Sequence, residues 1–138
     1  MVKLLEEFAL FLHNEGIGVY HPETIGGNIF LETLPANPDE CIGIYTRGGL
    51  DGDVFLETTT SNIQFIVRGR NKLETLDRGY RICKKLCGFN TKNLIDGGYQ
   101  ILDIHAPQGV PIYLDVDKAG RHEYSINFEV EHYIEEEI

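Results

Sequence analysis

Between Asn62 and Phe89 an apolar alternating run passes through the corner Arg68-Gly69-Arg70 into a stretch where every local signal for a helix agrees. Ile63, Phe65 and Val67 fall on one face of an extended segment and Ile66 adds an apolar residue to the other, which predicts an interior strand covered on both sides. Asn71 is placed to cap the helix that follows, and Glu74 to reach back to it. Leu73, Leu76, Tyr80, Cys83, Leu86 and Cys87 recur at three- and four-residue steps and predict the stripe that faces the sheet. Glu74 with Arg78 and Asp77 with Arg81 are opposite charges four apart, acid first. Lys84 and Lys85 suit the negative end of the helix, and Gly88 offers a left-handed stop. A strand tied to a helix by so short a corner requires a fold in which that helix lies back over a sheet.

The rest of the chain supplies the remaining elements. Residues 2–14 predict a first helix, with Leu5, Phe8 and Leu12 on one stripe, Leu4 and Phe11 beside it, and Gly16 and Gly18 ending it. Residues 28–34 suit a short strand before the turn at 35–38, and residues 41–45 a compact apolar one. Residues 47–53 read as a flexible polar loop, 54–60 as an arm or edge strand, and 90–98 as a connector. Residues 99–105 make a strand of imperfect alternation. Residues 112–116 and 121–134 make a hairpin around Asp117–Gly120, with Tyr124, Ile126, Phe128 and Val130 on one face. The acids from Glu131 to the end suggest an exposed, frayed terminus over 131–138. This order predicts one α+β domain over residues 1–138, with two main helices packed on a mostly antiparallel sheet.

Composition excludes several roles. No run approaches the roughly 18 apolar residues of a membrane span, so no membrane partner is expected. Glu6 and Glu7 interrupt the first apolar stretch where an export signal would carry none, so the protein is expected to stay in the cytosol where it is made. The formal charge of −10 disfavours tight binding of nucleic acid through phosphate neutralisation. Arg68, Arg70, Arg78, Arg81, Lys84 and Lys85 nevertheless concentrate in the central stretch, an asymmetry suited either to contact with a partner or to plain solvation.

Motifs for chemistry are absent or better explained otherwise. Neither a phosphate loop nor Gly-x-Ser-x-Gly occurs, and Gly16-Ile17-Gly18 follows a helix where a dinucleotide fingerprint follows a strand. Cys41, Cys83 and Cys87 lack the Cys-x-x-Cys spacing, and the last two lie on the predicted buried stripe, so they read as core residues. Asp96, Asp103, Asp115 and Asp117 lie near His105 and His122 in sequence and invite a metal reading. Asp115-x-Asp117 lacks the Gly and Glu of a calcium loop, however, and turn entry accounts for Asp117. No cofactor and no catalytic residue is assigned. A small metal-dependent hydrolase around Asp103, His105 and Asp115 is the alternative of a different class.

The order of features is more telling than any single motif. Tyr45-x-x-Gly48-Gly49, a long loop, Ile63-Gln64-Phe65-Ile66-Val67-Arg68-Gly69 entering a helix, and a distal Gly120-Arg121-x-Glu123-Tyr124-Ser125-Ile126-Asn127-Phe128-Glu129-Val130 strand together resemble the minor capsid and tail terminator proteins of tailed bacteriophages. The resemblance implies a non-catalytic virion protein of the neck. It would form a homo-hexameric ring that caps the tail tube protein, meets the head-closure or connector protein, and lets DNA pass without specific binding. Another neck or tail component, such as a head-closure or tube protein, is the nearest alternative. In such an assembly Arg47, Asp51 and Asp53 of the loop, Glu131 and Glu135 of the terminal stretch, and Arg68 and Arg70 at the corner are the candidate contacts with neighbouring subunits or partners. At least one of the two corner arginines is expected to be merely solvated.

Overall fold

The interior strand is twelve residues long. It is β3 (Thr58–Gly69) in a computed structural model that describes residues 2–21, 26–50 and 58–133. The other elements are α1 (Val2–Asn14), β1 (Ile29–Leu31), β2 (Cys41–Leu50), α2 (Lys72–Leu86), β4 (Asn90–Asn93), β5 (Gln100–His105), β6 (Ile112–Val116) and β7 (His122–Tyr133). The sheet runs β1-β2-β3-β7-β5-β4, with β6 also paired to β7. Among the described strands, only the β1–β2 pair is parallel. β3 and β7 pair over their full length, Gly69 opposite His122 and Thr58 opposite Tyr133. The other edge of β7 is divided, its first half taking β6 and its second half β5. The fold is α+β, two helices on a mostly antiparallel seven-stranded sheet.

Both helices cover the same sheet face. Leu4, Leu5, Phe8 and Leu12 of α1 and Ile82, Cys83 and Leu86 of α2 bury against Ile42, Ile44, Ile63, Phe65, Val67, Ile126, Phe128 and Val130. Phe65 is central, edge-on to Phe8 at 5.7 Å and to Phe128 at 5.4 Å. Such edge-to-face pairs add to what the buried area contributes. Gly16 and Gly88 end the helices with φ of 74° and 77°, the left-handed stop that a side chain disfavours.

Four expectations need correction. β3 is interior by pairing, between β2 and β7, but only its Phe65 face is covered; Gln64 and Ile66 on the other face are half-buried. The buried stripe of α2 is Thr75, Gly79, Ile82, Cys83 and Leu86, whereas Leu73, Tyr80 and Cys87 are exposed. The cause is close approach: a Cβ on Gly79 would lie 2.9 Å from Pro111 Cγ, and one on Gly69 2.4 Å from Thr75 Oγ1, so the helix turns its smallest residues to the sheet. The polar run from Arg47 continues β2 to Leu50 instead of leaving it as a loop, the register shifting between Thr46 and Gly49. The glycine pair there serves a bulge, which a loop-like composition conceals. Asn90–Asn93, read as connector, is the edge strand β4, whose four exposed residues carry no apolar pattern.

Candidate functional site

The corner after β3 gathers three arginines around one loop. Arg68 is only 3 % exposed. Its Nη2 donates to the carbonyls of Pro35 at 2.5 Å and Pro38 at 2.8 Å, and its Nε to that of Asp39 at 3.2 Å. Arg70 leaves the corner towards solvent, its Nε 2.6 Å from Asp39 Oδ2 and its Nη1 donating to Ala119 O at 2.9 Å. Arg121 comes from the other side, bonded through Nε to Asp117 Oδ2 at 2.8 Å and through Nη1 to Ala36 O, with Asp39 Oδ1 at 3.5 Å. The hydrogen bond from Arg70 holds the Asp39 carboxyl below the ordinary range, and the N–H of Arg121 leads the same effect on Asp117. These contacts fasten the segment before β2 to the turn between β6 and β7. A planar guanidinium suits this because it donates in several fixed directions at once.

The other candidate contacts lie elsewhere. Arg47 sits on the open sheet face, its Nε 2.5 Å from Gln64 Oε1 and its guanidinium 4.8 Å above the Tyr45 ring. It borders a shallow groove with Asn62, Pro107, Asn127 and Glu129. Glu131 is exposed on β7, opposite Thr60 on one side and Asp103 on the other. Asp51, Asp53 and Glu135, and with them most of the expected arm and the acidic terminus, lie outside the described residues. The structure therefore brings Arg68 and Arg70 together, and puts Arg47 and Glu131 separately on the open face.

The residues considered for metal or acid–base chemistry do not converge. His105 pairs with Glu129 and Asp115 with Glu123, six residues and about 20 Å apart along β7. Among the described residues no three of His, Cys, Asp and Glu come together as metal ligands, and no helix is long and apolar enough to cross a membrane. Burial pushes the Cys41 and Cys83 thiols up to about 11, so they stay protonated at neutral pH and are poor nucleophiles. One polar pair escaped sequence reading, since its members are 71 residues apart: Ser61 Oγ lies 2.8 Å from His132 Nε2. His132 Nδ1 faces the Tyr133 carbonyl at 2.8 Å. A carbonyl only accepts, so Nδ1 carries the proton and Nε2 receives the Ser61 hydroxyl. Ser61 and His132 are 3 % and 5 % exposed, which makes the pair a satisfied polar contact within the sheet.

Comparison with known proteins supplies the family. No curated protein matches the chain in sequence. Among solved structures, a chain from the virion of a native gene transfer agent particle shares the fold with a TM-score of 0.68, at 9 % sequence identity over 95 % of each chain. The family model described as bacteriophage tail terminator protein matches residues 11–134. Spanning everything from the end of α1 to the end of β7, that match places the chain in the bacteriophage tail terminator family, whose members are structural proteins of the phage tail.

Proposed function

We propose that this chain caps the tail tube at its head-proximal end and joins the tail to the head, assembled as a ring of six. The observation that carries the reading is the family match over residues 11–134, which takes in the whole sheet. The ring stops the tube at its proper length, with the tail tube protein on one side and the head-closure or connector protein on the other. No catalysis is assigned to it. The exposed Arg47 and Glu131 of the open face, with Asp51, Asp53 and Glu135, meet neighbouring copies or partners. Arg70 contributes less there, since it is committed to Asp39, and Arg68 acts only by holding the segment at 35–39. Six copies multiply the formal charge of −10, so the channel repels passing DNA and does not retain it.

Electron microscopy of a phage lysate produced without this chain tests the reading. Filled heads lying apart from tails of irregular or excessive length are expected. Joined particles of normal form overturn it. Heads and tails that are apart but of normal tail length point instead to head closure, and absent tails to a tube subunit.

A further inference from the structure

α2 carries an outward stripe that its own sheet leaves bare. Thr75, Gly79, Ile82, Cys83 and Leu86 are its buried side. Directly opposite, at four- and three-residue steps, stand Leu73, Asp77, Tyr80 and Lys84, with Arg81 beside Tyr80, and all five are exposed. Leu73 is 76 % exposed, more than any other large apolar residue described, and Tyr80 46 %. Arg81 and Lys84 make no ion pair among the described residues. From start to end the stripe is apolar, acidic, aromatic and basic.

The sheet has a bare side as well, since both helices lie on the other. Directly paired residues share a face, and on this side they form four rows. The first holds Phe30, Ile66 and Ile112. The second holds Tyr45, Gln64 and Asn127, with the Arg47 guanidinium 4.8 Å above the Tyr45 ring. Asn62 and Glu129 make the third, and Thr60, Glu131 and Asp103 the fourth. Asp103 and Glu131 face each other as like charges, which destabilises a sheet. Neither they nor Glu129 nor Arg47 has an ion pair among the described residues. Asp115 and Glu123 lie beyond the first row, past the start of such a stripe.

The two patterns match in order and in spacing. Rows follow one another every two residues, about 6.7 Å along the strand, and helix turns every 5.4 Å or so. With Leu73 over the apolar row, Asp77 reaches Arg47, Tyr80 and Arg81 reach the row of Glu129, and Lys84 reaches Glu131 and Asp103. The mismatch accumulates to only about 4 Å over three steps, which long side chains span. Opposite signs meet at every charged row. Turned end for end, the helix would set Lys84 on the apolar row and Leu73 on the acids.

We infer that the outward stripe of α2 docks on the bare sheet face of the next copy, along β3 and β7. This rests on the ring proposed above and names the surface that builds it. A second copy is the occupant because one chain supplies both complementary patterns, on opposite sides of its sheet, where they cannot meet each other. The contact is therefore back to front. Each copy keeps one unused stripe and one unused face until a ring closes, and each sheet gains helices on both faces.

The test is chemical cross-linking of particles that carry this chain. A carbodiimide condenses a lysine with a carboxylate that it touches, and mass spectrometry identifies the linked peptides. A link from Lys84 to Asp103, Glu129 or Glu131 is expected, and across the sheet it forms only between copies. Lys85 and Glu15, 3.6 Å apart within one copy, provide the internal standard. The standard without the Lys84 link overturns the proposal, and a link from Lys84 to another virion protein overturns the choice of partner. Charge reversal supplies a second measurement. Glu129→Lys with Glu131→Lys removes the like-charge apposition to Asp103, so the isolated chain should melt no lower, yet joined particles should be lost. Adding Arg81→Glu and Lys84→Glu should restore them; normal joining before that addition, or none after it, overturns the proposal. Counting copies per particle by quantitative mass spectrometry separates the two readings. One copy per tail removes the ring itself, whereas several copies without the Lys84 link remove only this surface.

Discussion

Arg68 shows how one side chain fixes a segment that has no regular structure of its own. Its guanidinium satisfies the carbonyls of Pro35, Pro38 and Asp39, and truncation leaves those acceptors facing a void. Arg68→Ala should therefore destabilise the protein by about 2–4 kcal/mol, read as a lower urea midpoint. Arg68→Lys should recover only part, because an ammonium cannot fork in the same plane. His132 makes a second residue-scale prediction, through pH. Burial lowers its pKa from the ordinary 6.5, so between that value and its depressed one the unfolded chain binds a proton that the folded chain refuses. Stability then rises with pH through this window and falls as pH drops below about 6.5. Melting temperatures measured between about pH 4.5 and 7.5 should show that slope, and His132→Gln should flatten it. The lowered carboxyls of Asp39 and Asp117 act in a separate, more acid window, where stability is lost as pH falls through their folded values.

At the scale of elements, α2 was legible in existence and extent but not in rotation. Asn71 caps it as expected, its Oδ1 accepting from the N–H of Glu74 at 3.0 Å. Periodicity of large apolar residues placed Leu73 and Tyr80 inside, yet Gly79 and Thr75 take that side because Pro111 and the Gly69 corner come too near for anything larger. Gly79→Ala should accordingly destabilise the protein by about 1–2 kcal/mol, the clash with Pro111 outweighing the gain of up to 1 kcal/mol in helix propensity. Chemical denaturation gives the sign. The hairpin of β6 and β7 was readable from alternation and from Gly120, and the first helix from Leu5, Phe8 and Leu12. β4 was not readable, since Asn90, Thr91, Lys92 and Asn93 are strand only through pairing with β5. The corner arginines stand out in the sequence, but their targets lie 29 to 49 residues away. Local spacing carries no trace of such partners, nor of the Ser61–His132 contact.

For the molecule as a whole, charge and topology set different constraints. A net −10 on 138 residues repels itself, and the ion pairs made by Arg70, Arg78, Lys85 and Arg121 are largely at the surface. Surface pairs contribute about 0–1 kcal/mol each, so screening should relieve more repulsion than it removes attraction. The melting temperature at neutral pH should rise between about 0.02 and 0.3 M sodium chloride; a fall would mean that the pairs dominate.

The β3–β7 ladder, twelve paired residues on each side from Thr58 opposite Tyr133 to Gly69 opposite His122, crosses the molecule for about 40 Å. A pull along the strands loads all of these rungs in parallel, and none yields until many yield together. A pull across them opens the rungs one after another. The protein thus has a strong axis and a weak one, like timber along and across its grain.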